Sequence, residues 1–436
     1  MSLAERVRRV AVDTEPLRIP AYRRILVGYS VSFIGFTVTA VAVPVQLFAI
    51  TGSSFYIGVL GLVQIVPLIG FGLWGGAVAD AADRRLVALL SSLVVWATTL
   101  GLLAQAVLGL RSVGLILGLM AVQAGAFAIV QPTRGAIIPR LVPVELVPAA
   151  NTLSFTLGNV ATIAGPLLAG VFLGLPSGYV WAYAADAALF TVGLYATLRL
   201  PHLPPIGETS RPGLGSVVDG LRFIAGRPVL LLSFAVDIAA MVLAMPRALF
   251  PEVAERRFGG LGAVGWLYAA IAVGAVVGGL SSGWIGRVRR QGLALVAAVV
   301  AWGLAVALAG LAPSLWLAVL LLAVAGAADL VSAVYRQTIL QVYAPDEMRG
   351  RLQGVFVVVV TGGPRLGDAR AGMVAAAVGA TVSWVAGGVA CAILVVILAL
   401  AFPALRRYTT ATRPADTGPT DPGGAGPRPP EHAAGG

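Results

Sequence analysis

Apolar stretches of about 18 residues or more recur along the whole chain, and this feature most constrains its fold. Of the 436 residues, 58% are hydrophobic and only 11% are charged, whereas a soluble domain carries about a quarter charged residues. A helix of about 20 apolar residues crosses the hydrocarbon core and satisfies its own backbone hydrogen bonds. We therefore expect an α-helical membrane protein.

Twelve such stretches predict an all-α membrane protein with twelve transmembrane helices. They are residues 25–50, 55–79, 86–110, 112–133, 150–174, 178–200, 228–250, 263–286, 292–312, 314–336, 353–378 and 382–405. The longest internal connection, rich in Pro and Gly in its first half, separates six stretches from six. The predicted division is a cytoplasmic N-terminal segment 1–24, a six-helix bundle 25–200, a cytoplasmic linker 201–227 with a short surface helix, a six-helix bundle 228–408 and a disordered cytoplasmic tail 409–436.

The arginines predict the orientation of the chain. All 30 basic residues are arginine, and 24 of them lie on the cytoplasmic side if both termini are cytoplasmic. Only Arg111, Arg247, Arg256 and Arg257 are then assigned to the outside, as the positive-inside rule requires. The absence of lysine indicates a GC-rich bacterial genome and excludes a P-loop nucleotide site. We expect a multi-pass protein of the bacterial plasma (inner) membrane.

The residue inventory argues against an enzyme. Cys391 is the single cysteine, and the two histidines, His202 and His432, fall in a predicted loop and in the tail. A disulfide, a metal site or a Cys/His nucleophile inside the membrane cannot be assembled from these residues. We expect no cofactor and no metal. The net charge of +11 follows from topology rather than from binding nucleic acid, and the oligomeric state stays open.

A polar stretch, "RGAIIPRLVPVEL", is echoed 202 residues later by "RQTILQVYAPDEM". The matching positions are Arg134 with Arg336, Ile137 with Ile339, Pro143 with Pro345, Glu145 with Glu347, Gly165 with Gly367, Ala169 with Ala371 and Gly170 with Gly372. Both stretches follow the fourth apolar segment of their half. Chance matching is the alternative, but polar residues in register favour two six-helix bundles in parallel repeat around a central path.

Two motifs resemble those of the major facilitator superfamily. The loop after the second stretch resembles its Gly-x-x-x-Asp-x-x-Gly-Arg-Lys/Arg signature at Gly76, Asp80, Arg84 and Arg85, with Asp83 in place of the second glycine. The stretch "ATIAGPLLAG" is similar to the antiporter motif of exporters at Gly165, Pro166 and Gly170. The arginine usual in the fourth helix is absent, and Gln123 is the polar residue there.

Later stretches, "PRALFPEVAERRFGG" and "GGPRLGDARAG" among them, resemble the bacterial branch of siderophore exporters and macrolide efflux proteins. The resemblance implies export of a small amphipathic compound by alternating access, in exchange for protons. It also implies that helices 1, 4, 7 and 10 line a central cavity, and that the signature loop closes the cytoplasmic side. Alternatives are a metabolite importer or facilitator, and a binding or regulatory protein that does not transport.

Charged residues inside the apolar stretches are the candidate functional residues, because a charge at the bilayer centre costs about 2.5–3.5 kcal/mol. Only a carboxylate among them can exchange a proton, which makes Asp237 and Asp329 candidates for proton coupling. The alternative is a fixed ion pair or a helix cap. Asp329 and Arg336 are seven residues apart, and we expect about 10 Å of helix to keep them from touching.

The eleventh stretch holds the other candidates. Arg365 and Asp368 are three residues apart and can pair on a helix; we expect them to line a cavity rather than form a buried structural pair. Pro364 and its flanking glycines predict a broken or bent helix here. Asp186, in the sixth stretch, is expected to be structural.

Overall fold

The computed structural model describes residues 13–204, 214–345 and 348–409, except for the side chains of 73–81, 214–217, 349–351, 353 and 354. Within these residues twelve helices have 17 or more residues. They are α1 (Pro20–Thr51), α2 (Phe55–Ala81), α3 (Arg84–Val107), α4 (Val113–Leu141), α5 (Val147–Leu173), α6 (Gly178–Leu198), α7 (Pro228–Ala244), α8 (Gly262–Leu280), α9 (Gln291–Leu311), α10 (Leu315–Tyr343), α11 (Arg349–Val378) and α12 (Ala380–Ala401). Shorter helical segments are Glu15–Arg18, Val144–Leu146, Leu214–Ala225, Arg247–Leu249, Phe250–Arg257, Ser282–Arg287 and Pro403–Arg407.

Ten helical stretches of the described chain are long and apolar enough to cross a membrane. The two long helices outside that set are α6, which carries Asp186, and α11, which carries Arg365, Asp368 and Arg370. Both pack among the others, α6 against α1 and α3, and α11 against α2, α7 and α12. The arrangement agrees with the predicted twelve-helix membrane fold.

The same helix pairs pack in both halves of the chain. In the first half α1 contacts α5 and α6, α4 contacts α2 and α3, and α3 contacts α6. In the second half α7 contacts α11 and α12, α10 contacts α8 and α9, and α9 contacts α12. Each second-half pair is a first-half pair advanced by six helices, so the predicted parallel repeat is confirmed in three dimensions.

Two further helix pairs, α2 with α11 and α5 with α8, join the halves, and they are equivalent under the same repeat. Small residues allow them to approach closely. A Cβ added to Gly170 on α5 would lie 2.9 Å from the carbonyl oxygen of Gly262 and 3.1 Å from the Cα of Gly265. A Cβ added to Gly372 on α11 would lie 3.1 Å from the backbone nitrogen of Gly58 on α2. The repeated glycines therefore form the contact between halves.

The bundle has two ends, which we call the terminal face, where α1 begins at Pro20, and the distal face, where α1 ends at Thr51. At the distal face the Ser54 hydroxyl donates to Glu252 Oε2 at 2.6 Å. Glu252 Oε1 accepts from Arg256 Nη1 at 2.6 Å, and the Arg256 guanidinium lies over the Phe48 ring at 5.6 Å. These contacts join the two halves, so the distal face is closed in this structure.

The seventh predicted span is interrupted where α7 ends at Ala244. Pro246 disfavours helical backbone at Met245, which is extended with ψ 115°. Arg370 Nε donates to the carbonyl oxygen of Val242 at 3.2 Å, and its Nη2 donates to that of Leu243 at 2.5 Å. Arg370 thus satisfies carbonyls that the ended helix leaves free.

Helix α11, which is predicted to be broken or bent at Pro364, runs through that residue without a break. Proline removes one backbone hydrogen bond of the helix. The packing of α11 against α2, α7 and α12 holds the segment on both sides of that position.

We predict that Gly170→Val weakens the closed distal face, because the new side chain must occupy the space now filled by the backbone of α8. Overpacking of this kind costs about 1–3 kcal/mol. Cysteines placed at the distal ends of α5 and α8, in a Cys391→Ala background, should become more reactive toward a membrane-impermeant maleimide.

Gly158→Val is the matched control, since it lies on the same helix and a Cβ there meets nothing within 4 Å. Equal labelling in both glycine variants and the parent would contradict a closing role for the Gly170 contact.

Candidate functional site

A cavity of about 450 Å³ lies between the two halves, within the size range of small-molecule sites. Both halves supply its wall, through α1, α2, α4 and α5 on one side, and through α8, α11 and the segment after α7 on the other. Its polar lining residues are Thr37, Gln64, Gln123, Asn159, Thr162, Arg247, Tyr268, Arg365 and Asp368. Apolar residues such as Phe36, Val41 and Ile271 complete the wall.

Arg365 and Asp368 both face this cavity but do not form an ion pair with each other. Arg365 Nε donates to Gln64 Oε1 across the two halves at 3.3 Å, and its Nη1 donates to the Thr361 carbonyl at 2.7 Å. Asp368 Oδ1 accepts from the backbone nitrogen of Ala248 at 3.2 Å. The two charges are therefore held apart by different neighbours.

Arg247, which the charge pattern assigned to the outside, also lies on the cavity wall. The physical reason is the end of α7 before Pro246, which places Arg247 in the short helical turn Arg247–Leu249. Tyr268 Oη donates to the Arg247 carbonyl at 3.1 Å and connects this turn to α8. Among the described residues that line the cavity there are thus two arginines and one acid.

Behind the wall of the first half, Asp186 ties three helices together. It accepts from the Thr39 hydroxyl of α1 at 2.6 Å and the Thr99 hydroxyl of α3 at 3.2 Å. Gln123 Nε2 donates to the same Thr99 hydroxyl at 3.3 Å. Asp186 is 1% exposed and does not line the cavity, which fits the structural role expected for it.

Asp237 and Asp329, the leading candidates for proton coupling, contact Arg336 instead of the cavity. Arg336 forms an ion pair with Asp237 of α7, and both side chains are buried. Arg336 Nη2 also lies 3.7 Å from Asp329 Oδ1. The expectation that Asp329 and Arg336 cannot touch was wrong, because a long side chain on a helix extends toward its N-terminus and shortens the gap.

The comparisons with known proteins agree with this architecture. The family described as transmembrane secretion effector, within the major facilitator superfamily, matches residues 12–421. The chain belongs to the major facilitator superfamily. Its members are transporters, so this chain is a membrane transporter and not an enzyme.

Relatives of this superfamily chain include the enterobactin exporter EntS of Shigella boydii serotype 18, which is 31% identical over 395 residues, covering 89% of this chain and 93% of the relative. The enterobactin exporter EntS of Escherichia coli O81 is 30% identical with the same coverage. The crystal structure of the nucleoside transporter NupG shares the fold, with a TM-score of 0.71 at 15% identity, covering 89% of this chain and 100% of that one.

The superfamily signature lies at the terminal face. The side chains of Gly76 and Asp80 lie outside the described part of the chain, and so does the whole of Glu347. Glu145 is described and is exposed. Arg84 Nη1 donates to the Ala136 carbonyl at 3.1 Å, and Arg85 Nη2 donates to the Leu198 carbonyl at 2.8 Å. Both of these bonds remain within the first half.

Asp83, which stands where the superfamily has glycine, caps α3. Its Oδ1 accepts from the backbone nitrogens of Arg85 at 2.8 Å and Leu203 at 3.3 Å, and its Oδ2 lies 2.7 Å from His202 Nδ1. Burial alone would raise the pKa of Asp83, but these hydrogen bonds outweigh it and hold the pKa below its ordinary value. The departure from the signature therefore fastens the α2–α3 turn to the end of the first half.

The antiporter-like motif supplies both packing and lining. Gly165 faces Thr37 of α1, and Gly170 meets α8. Pro166 lines the cavity, one turn from Thr162 and two from Asn159. That spacing of polar residues along an apolar helix was the signal that would have identified Asn159 and Thr162 from the sequence.

We predict that Arg336→Gln destabilises the chain by about 3–5 kcal/mol, because it leaves Asp237 charged and buried without its ion-pair partner. Thermal unfolding in detergent measures the loss. The double variant Asp237→Asn with Arg336→Gln should recover most of it, since neither charge then remains. A double variant as unstable as the single one would show that the ion pair is not the cause.

We also predict that Asp83→Ala lowers the stability by about 0.5–2 kcal/mol at pH 7 through loss of the cap. Because the folded-state pKa of Asp83 is depressed, its contribution is present above the unfolded pKa of about 3.9 and is lost as the pH falls through the lower folded pKa. The stabilities of the parent and the variant should therefore begin to converge below about pH 4 and meet once the pH is below the folded pKa. The exposed Glu145→Ala is the control, and a pH-independent difference for Asp83→Ala would contradict the assignment.

Proposed function

We propose that this transporter exports a small amphipathic compound of the siderophore class from the terminal face to the distal face by alternating access, in exchange for protons. The observation that carries the proposal is a polar-lined cavity built by both halves and closed toward the distal face. The relatives named as enterobactin exporters support the siderophore class.

The chemistry of the wall supports an amphipathic cargo. Arg365, Arg247 and Gln64 offer N–H groups, which suit a compound rich in hydroxyl, carbonyl or carboxylate oxygens. Phe36 and Ile271 offer apolar surface to its body. A hydrophobic drug such as a macrolide shares this combination and is the second cargo class to test.

The packing between halves supports alternating access. The α2–α11 and α5–α8 pairs are equivalent, so the two halves can rock about these contacts while the cavity stays between them. In this structure Ser54 and Glu252 hold the distal face closed. If the termini are cytoplasmic, as the arginine distribution predicts, the conformation is the one that receives cargo from the cytoplasm of a bacterial cell.

Asp368 is the residue that we assign to proton exchange. Among the described residues that line the cavity it is the one acid, and it lies beside the contact through which Arg365 reaches Gln64 of the other half. A proton on Asp368 would remove its attraction to the nearby cations Arg365 and Arg247. Binding of a proton and binding of an oxygen-rich cargo at these cations would then influence each other.

The experiment uses the full chain in sealed liposomes with an imposed pH gradient and enterobactin as the probe. We expect enterobactin to accumulate on the side from which protons leave, with matching collapse of the gradient. Asp368→Asn should abolish gradient-driven accumulation while leaving exchange of enterobactin across the bilayer without a gradient. Asp329→Asn tests the other candidate, which lies beside Arg336, and the exposed Glu145→Gln serves as a control.

The other readings give different results. Enterobactin flux without proton movement would indicate a facilitator and contradict the antiport proposal. Transport of enterobactin in the opposite direction to the predicted one would indicate an importer. Enterobactin binding without flux in the parent would indicate a binding or regulatory protein. Unchanged gradient-driven accumulation in Asp368→Asn would remove Asp368 from the coupling step.

A further inference from the structure

A second cavity, which we call the terminal cavity, lies between α1, α4 and α5 on the terminal side of the central one. Its volume is about 240 Å³, and all of its described lining residues belong to one half of the chain. Most of its wall is apolar or aromatic, including Tyr22, Leu26 and Ile138. Among the described residues of this lining, Arg134 brings the one formal charge.

The Arg134 guanidinium has no counter-ion among the described residues. It lies over the Tyr29 ring at 4.1 Å, a favourable contact that does not neutralise the charge. Its Nε is buried without a hydrogen-bond partner. A buried donor without a partner costs free energy, and an anion held by the guanidinium would offset part of that cost.

The equivalent arginine in the second half of the chain provides a comparison for Arg134. Arg336 occupies the equivalent place on α10 and has its counter-ion, Asp237, within the same half. An offset of 202 from Asp237 leads to Gly35, which has no side chain to offer Arg134. The same arginine is thus neutralised within its own half at one position, whereas no described residue neutralises it at the other.

The terminal cavity continues the central path. On α4, Gln123 lines the central cavity, and Gln131 and Arg134 line the terminal one at helical spacing on the same side. Between them Phe36 stacks on Phe127 with ring centroids 4.5 Å apart. A compound that moves from the terminal face to the central cavity along this side of α4 would pass Arg134 first.

We propose that the terminal cavity is an anion-binding site in which Arg134 holds the oxyanion of an amphipathic molecule, and Tyr29 contacts its apolar or aromatic body. The oxyanion can be the carboxylate or phosphate of a compound awaiting transport or the headgroup of an anionic lipid. The route to the central cavity rests on the proposed function, whereas the binding site does not.

Thermal unfolding of the purified full chain in a non-ionic detergent tests the site. Salicylate, an aromatic carboxylate, is the probe, and salicylamide is its uncharged analogue. We expect salicylate to raise the Tm of the parent by a concentration-dependent shift that salicylamide does not reproduce. Arg134→Gln should reduce the shift about fivefold or more, because a ligand stabilises only in proportion to its affinity for the folded state.

Two variants keep the test interpretable. Arg140→Gln removes an arginine from the same helix outside the cavity lining and should retain the full shift. Arg134→Lys keeps the charge without the planar donors and should retain a reduced shift, even if Arg134→Gln is unstable. Equal shifts with salicylamide, or a full shift in Arg134→Gln, would overturn the proposal.

Nanodiscs separate the two sources of the anion. If an anionic headgroup is the occupant, phosphatidylglycerol should stabilise the parent but not Arg134→Gln, and should abolish the salicylate shift. If a free compound is the occupant, the salicylate shift should be equal in phosphatidylglycerol and phosphatidylcholine. A salicylate shift in a protein that shows no enterobactin flux would support this binding site and contradict the proposed transport function. Enterobactin flux without a salicylate shift would support the transport function and contradict this binding site.

Discussion

The close approach of α2 to α11 and of α5 to α8 is the contact on which the rest of the structure depends. Small residues such as Gly170, Gly265 and Gly372 allow these helices to meet backbone against backbone at the distal side. Residues of both halves line the cavity beside these contacts. With side chains instead of hydrogen at these positions the halves would stand apart, and the cavity would not be closed at the distal face.

Charge inside the bundle is handled differently in the two halves. The second half buries Arg336 with Asp237, and the first half buries Asp186 among hydroxyl groups instead of beside a cation. An ion pair of this kind limits the cost of a charge that the membrane environment would otherwise impose. The charges that remain available to a ligand are those on cavity walls, and among the described lining residues their surplus is positive in both cavities.

The sequence predicted the helices, the two halves and their repeat, because apolar length and polar register are local signals that tertiary packing leaves intact. It also identified Arg365 and Asp368 as candidate functional residues, because a charge inside the membrane is costly. It could not reveal that Arg365 contacts Gln64 and that Asp368 contacts Ala248, since these partners are distant in sequence and come near only through packing between helices. The reach of Arg336 back to Asp329 was missed because Cα spacing alone ignores the length and direction of the side chain.

The position of Arg247 shows how one backbone interruption alters the chemistry of the whole cavity. A continuous seventh helix would run through Arg247, which lies inside the predicted stretch 228–250. Pro246 stops that helix early, Arg370 satisfies the freed carbonyls, and the following turn brings the Arg247 side chain to the cavity wall. The interruption at Pro246 therefore adds a second arginine to a wall that has Asp368 as its one described acid. A wall of this charge favours a cargo with exposed oxygen acceptors.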